Sequence, residues 1–128
     1  LATTVKRFHA AGVRVSLFID PMLEQIDAAA ELAADMVELH TGKLANAFTD
    51  TIAKQELERL RAAADAAQSA KLQVNAGHGI NYRNMMLIHK IPHLVELNIG
   101  HSIVARSVFV GFDAAVREML GLMEGYRG

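Results

Sequence analysis

The sequence predicts an α/β protein built on a parallel sheet, and three observations carry that prediction. Short apolar, β-branched runs alternate with amphipathic helical stretches four times along 128 residues, the pattern of strands joined by right-handed helical crossovers. The runs are apolar almost throughout, as parallel strands are when both faces of their sheet are covered. Two of them end alike, in Val74-Asn75-Ala76-Gly77-His78-Gly79 and Leu97-Asn98-Ile99-Gly100-His101-Ser102. Each is a strand, then small residues with one histidine, then a helix, which is how a parallel strand turns its carboxyl end to a ligand.

The elements follow in order. Val5, Phe8 and Ala11 share one face of an opening helix that Gly12 stops. The first strand is Val13 to Ile19. Asp20 then offers an N-cap and Pro21 a first helical residue for a helix striped by Leu23, Ile26, Ala30 and Ala33. The second strand, Met36 to His40, runs into Thr41-Gly42 and a polar loop. A long helix follows from about Ile52 to Ala70, with Leu57, Leu60, Ala64 and Ala67 on one side. The third strand is Leu72 to Ala76, after which Asn81 caps a helix through Met85, Leu87 and Ile88 that Pro92 closes. The fourth is Leu94 to Ile99, followed by a short helix from Ile103 to Val108. Gly111 breaks it, and a last helix carries Phe112, Val116, Met119, Leu120 and Met123.

Bulk composition narrows the function. The chain is 52% hydrophobic and 21% charged, and 13 basic residues nearly cancel 14 acidic ones. That balance gives no electrostatic case for nucleic acid or an anionic membrane. No apolar run approaches the roughly 18 to 20 residues that span a bilayer. The absence of cysteine removes disulfides and thiolate chemistry, and no signal-peptide pattern is present. A cytoplasmic enzyme or binding protein fits. The chain begins at Leu1 inside an amphipathic pattern and reads as a piece of a longer protein.

Two architectures accommodate four βα units: an open doubly wound sheet, or half of an eight-stranded (β/α)8 barrel. A whole barrel takes about 250 residues, and its last loops and a short extra helix often bind phosphate. The short helix after the fourth strand favours the carboxyl-terminal half of such a barrel, filling residues 1–128 as part of one domain.

The strand ends supply the candidate chemistry. His78 lies between glycines that allow close approach to a ligand, and an imidazole is suited to general acid–base catalysis. The bland alternative is a loop histidine bonded to backbone. Gly100-His101-Ser102 opens a helix, where free N–H groups and the helix dipole favour an anion such as phosphate; the bland alternative is an ordinary start capped by Ser102. Glu38 and His40 share one face of the second strand, so both enter the site if that face lines it. His40, His78 and His101 end three successive strands and raise the question of zinc, but no reinforcing spacing supports a metal, and none is expected. Met36, Met85, Met86, Met119 and Met123 occupy core-like positions, and His9, His89 and His93 are expected at the surface. No dinucleotide or Walker-type loop occurs.

Four segments together resemble the pyridoxine 5′-phosphate synthase family, in order and at matching spacing. They are Val15 to Asp20, Glu38 to Gly42, Val74 to Gly79 and Glu96 to His101; Ala105 to Val108, Gly111 and Ala114 to Val116 also fit. The resemblance covers essentially the whole chain but only the carboxyl-terminal half of the family's (β/α)8 TIM barrel. It implies condensation of 1-deoxy-D-xylulose 5-phosphate with 3-amino-2-oxopropyl phosphate to pyridoxine 5′-phosphate, phosphate and water, with no cofactor. It also implies a homo-oligomer. By resemblance His78 matches the proton-donor histidine, Gly79 a substrate contact, Gly100 and His101 the phosphate-binding segment, and Glu38 a carboxylate inside the barrel.

Two departures matter. Leu44 stands where the family often has tyrosine, and the family's other catalytic histidine and glutamate belong to the half not represented here. The chain alone is therefore expected to be inactive. Two competing readings are another phosphate-binding barrel, an isomerase or lyase acting on one phosphorylated substrate, and a non-catalytic half-barrel that binds a phosphorylated metabolite. A soluble 128-residue monomer would favour the open sheet, since half a barrel leaves two strand edges unpaired.

Overall fold

Gly12, at φ +72°, turns the chain out of its first helix and toward the first strand, a conformation glycine adopts without steric cost. The structure, a computed structural model, describes residues 1–126. Its elements are α1 (Ala2–Ala10), β1 (Ser16–Ile19), α2 (Leu23–Glu31), β2 (Met36–His40), α3 (Gly42–Ala45), α4 (Asp50–Ser69), β3 (Gln73–Gly77), α5 (Met85–Ile88), β4 (Leu94–Asn98), α6 (His101–Val110) and α7 (Phe112–Met123).

The four strands form one parallel sheet in the order β1-β2-β3-β4. The order never reverses, so this sheet has no switch point of the kind a doubly wound sheet uses to bind ligands. Val37, Leu39 and Val74 point to one face and are fully buried against Ile26, Leu57, Leu60 and Ala64 of the helices. Met85, Ile88, Ile91 and Met119 complete this core.

The other face carries a different set. Register aligns Phe18, Glu38, Asn75 and Glu96 across the sheet, flanked by Ser16, Met36 and Gln73 on one side and His40, Gly77 and Asn98 on the other. None of these belongs to the apolar cluster. The expectation of strands covered on both faces is corrected here: the alternation is real, and the second face is mostly polar. Gln73 donates to Asn75 Oδ1 (3.0 Å), and Asn75 reaches Glu96 Oε2 (3.4 Å). Between Val74 and Asn75 the pairing slips by a residue, leaving Val95 as the extra residue opposite. That bulge restores Glu96 and Asn98 to the polar face.

Several boundaries differ from the sequence expectation, some for a tertiary and some for a local reason. β1 begins at Ser16 because its partner begins at Met36. Residues 13–15 lie outside the ladder, where Asp35 Oδ2 accepts from the Val15 N–H (2.6 Å). α2 begins at Leu23 rather than at Pro21. Asp20 does not cap it: its carboxylate lies 3.4 Å from His40 Nδ1, and its N–H donates to Gln25 Oε1. The polar loop after β2 contains the short α3, and α4 starts at Asp50 under a Thr49 side-chain cap. Asn81 makes a tight turn, accepting from Arg83 and Asn84 N–H, so α5 begins only at Met85. Met86 is 64% exposed rather than core. His9 and His93 pair with Asp35 and Asp65. His89, expected at the surface, has a buried Nε2 and packs its ring on Tyr126. No helix among the described residues is long and apolar enough to cross a membrane.

Candidate functional site

Parallel strands bring their carboxyl ends to one edge of the sheet, and the loops there surround a cavity of about 720 Å³. Its lining includes Glu38, His78, Gly79, Gly100 and His101 but not His40. Five of the residues singled out in the sequence thus meet in one place, and His40 stands behind them against the His78 ring. Phe18, Asn46, Asn81 and Asn98 line it as well.

Glu38 enters from the polar face of β2. Asn98, two strands away, donates from Nδ2 to Glu38 Oε2 at 2.7 Å, which fixes the position of the carboxylate. Between them sits Gly77. A Cβ there would overlap Glu38 Oε1, so the glycine is what lets the carboxylate lie across β3. Asn98 was missed in the sequence, although the alternation that placed Glu38 beside His40 also places Asn98 beside Glu96.

His78 follows Gly77 at φ +76°, a left-handed conformation that costs a non-glycine residue about 1–2 kcal/mol. Histidine tolerates it better than most, and the neighbours enforce it. Gly79 continues at φ +80°, where a Cβ would come within 2.6 Å of Ala45 Cβ in α3. Asn81 and Asn84 side chains donate to the Gly79 carbonyl at 3.2 and 3.0 Å. The His78 ring lies 4.7 Å from the His40 ring, which in turn meets Phe18 edge-on at 5.2 Å. His40 faces Asp20 on its other side.

Gly100 caps α6, and the first bond inside that helix is from Val104 N–H to the Gly100 carbonyl (3.0 Å). The N–H groups before Val104 therefore have no intrahelical partner, and they stand where Gly100, His101 and Ser102 border the cavity. Ser102 is not the cap. Its hydroxyl donates to the Ile80 carbonyl (2.8 Å), joining α6 to the loop after β3. Arg106 and Glu118 brace α6 on α7 through paired bonds of 2.8 and 3.0 Å; that contact, with the charge of Arg106, holds the Glu118 carboxyl below its ordinary range.

The three strand-end histidines do not form one cluster: His40 and His78 touch, and His101 lies on the other wall with α6. Among the described residues no group of three or more His, Asp or Glu side chains is placed to hold a metal ion. Leu44, the departure in the loop after β2, is buried in the core beside α4.

A carboxylate, an imidazole and helix-start N–H groups border one cavity, the class of site whose chemistry suits proton transfer and anion binding. Comparison of sequences makes the class specific. The family described as Pyridoxal phosphate biosynthesis protein PdxJ matches residues 1–125, and the chain belongs to that family. It is similar to the pyridoxine 5′-phosphate synthase of Magnetococcus marinus, with 54% identity over 96% of this chain and 51% of the relative. The synthase of Akkermansia muciniphila is 54% identical over 93% and 48%, and that of Idiomarina loihiensis 49% identical over 99% and 52%. The chain spans about half the length of the curated relatives it matches.

Proposed function

We propose that this chain is the carboxyl-terminal half of a (β/α)8 barrel and forms one wall of a pyridoxine 5′-phosphate synthase active site. The observation that carries the reading is the convergence of Glu38, His78 and the start of α6 on one cavity at the strand ends. Barrel enzymes place their chemistry at that face. Two features support the half-barrel: the strand order is sequential, and the apolar core lies against a single face of the sheet. The exposed surface agrees. It is 7901 Å², against roughly 6,700 Å² for a compact monomer of this 13.9 kDa mass.

In this reading the substrates are 1-deoxy-D-xylulose 5-phosphate and 3-amino-2-oxopropyl phosphate. The N–H groups at the start of α6, with Gly100 and His101, hold a phosphate. His78 protonates a departing oxygen as the pyridine ring closes, and Gly79 lets the backbone approach the substrate. Glu38, fixed by Asn98, stabilises positive charge that develops on the reacting amine. The remaining acids and bases come from the other half of the barrel, and the working protein is a cytoplasmic homo-oligomer.

Replacing the matching half of the Magnetococcus marinus synthase with this chain completes a barrel in which the reading can be tested. The completed barrel should turn over both substrates, and His78→Asn should lower kcat by about 10²- to 10⁴-fold. Unchanged turnover in His78→Asn would contradict the assignment.

A further inference from the structure

We propose that Thr41 is a positioning residue whose hydroxyl holds the His78 peptide in its left-handed conformation and so directs the imidazole into the cavity. The proposal rests on the reading of His78 as the proton donor.

Thr41 is 1% exposed and follows the last residue of β2. Its backbone N–H donates to the Gly77 carbonyl at 2.9 Å, continuing the β2–β3 ladder. The ladder is therefore complete without the side chain. The hydroxyl does something additional: its one proton is shared between the Gly77 carbonyl at 2.8 Å and the His78 carbonyl at 2.6 Å. It thus reaches one residue past the end of β3, to the peptide whose conformation is unusual.

The geometry links that bond to the histidine's orientation. With φ at +76°, the His78 carbonyl turns back toward β2, where Thr41 meets it. A swing of His78 into the ordinary right-handed or extended region would carry this carbonyl away from the hydroxyl. The bond to the His78 carbonyl is part-buried, with Thr41 itself out of solvent. A shielded carbonyl that loses its donor is unfavourable, so the hydroxyl ties the less favoured backbone to the more favoured hydrogen bonding.

The next residue gives the ring its room. A Cβ on Gly42 would stand 2.8 Å from His40 Nε2 and 3.0 Å from His78 Cδ2, so both imidazoles close over a position only glycine can fill without moving them. Thr41 fixes the backbone of His78, and Gly42 and His40 bound its ring. On the far side Asn81 and Asn84 hold the following carbonyl. The proton donor thus sits on a segment held on one side by the end of β2 and on the other by the loop that follows it.

The test uses the completed barrel described above, with Thr41→Val, Thr41→Ser and His78→Asn compared by steady-state kinetics. Thr41→Val keeps the shape and removes the donor. A misaimed catalytic group costs up to about 100-fold in rate, so kcat should fall about 10- to 100-fold while KM stays within about twofold. Thr41→Ser restores the hydroxyl and should return kcat to within about threefold of the parent. A crystal structure of Thr41→Val should show residue 78 displaced from its positive φ. Parent-like kcat in Thr41→Val overturns the proposal. If Thr41→Val does not fold, Thr41→Ser decides: a folded serine variant with kcat near the parent supports the hydroxyl's role, and one with a large loss overturns it. Full turnover in His78→Asn overturns the underlying reading as well, whereas loss in His78→Asn with no loss in Thr41→Val defeats the positioning role alone.

Discussion

Gly77 shows how much a single missing side chain can organise. It lies on the polar face of β3 between Glu38 and Asn98, and any Cβ would occupy the space of a Glu38 oxygen. Gly77→Ala should therefore displace the carboxylate and break its 2.7 Å bond from Asn98, in an otherwise intact fold. Steady-state kinetics of the completed barrel should show kcat reduced at least about tenfold, as for a misplaced electrostatic group. Parent-like kinetics would mean that Glu38 tolerates relocation and has no fixed role. The sequence showed Glu38 and His78 because charged or imidazole side chains at strand ends are conspicuous. Thr41 and Asn98 were not conspicuous, and Gly77 was read only as a flank of His78, since the importance of all three lies in contacts between strands distant in sequence.

Among elements, those whose pattern is local were legible and those set by partners were not. β2, β3 and β4 fall within a residue of expectation because their apolar runs are bounded by turn residues. The start of α2 was misplaced because Asp20 obeys a capping rule in isolation but faces His40 in the fold. α1 is tied to the sheet by a similar long-range contact. Asp35 accepts from Val15 N–H at 2.6 Å and meets His9 Nε2 at 2.9 Å. The Val15 bond first, and then the His9 bond, hold its carboxyl below the ordinary 3.8. A carboxylate whose folded pKa is depressed stabilises the fold above its unfolded value and loses that contribution as pH falls through the folded value. Urea denaturation from about pH 5 to about pH 3 should therefore show stability falling with acid, less steeply in Asp35→Asn. Equal slopes would show that the contact does not anchor α1.

The whole molecule carries unfinished surfaces. Phe18 and Val95 on the two edge strands are 57% and 65% exposed, and on α6 Val108 and Phe109 are 78% and 84% exposed. Apolar patches and open strand edges of this kind promote association. The 128-residue chain should therefore self-associate in sedimentation analysis, and a clean monomer would count against the half-barrel. Composition and periodicity gave the four βα units, but the sequence left the open sheet and the half-barrel in competition. Strand order and the bare polar face, properties of assembled strands, favour the barrel.

The most direct test of the central claim is complementation. The purified chain and the separately expressed amino-terminal half of the Magnetococcus marinus synthase would be assayed alone and mixed, with release of phosphate and formation of pyridoxine 5′-phosphate as readouts. The account predicts no turnover by either half and turnover by the mixture that His78→Asn abolishes. Turnover by the 128-residue chain alone, or by the mixture regardless of His78, would contradict it.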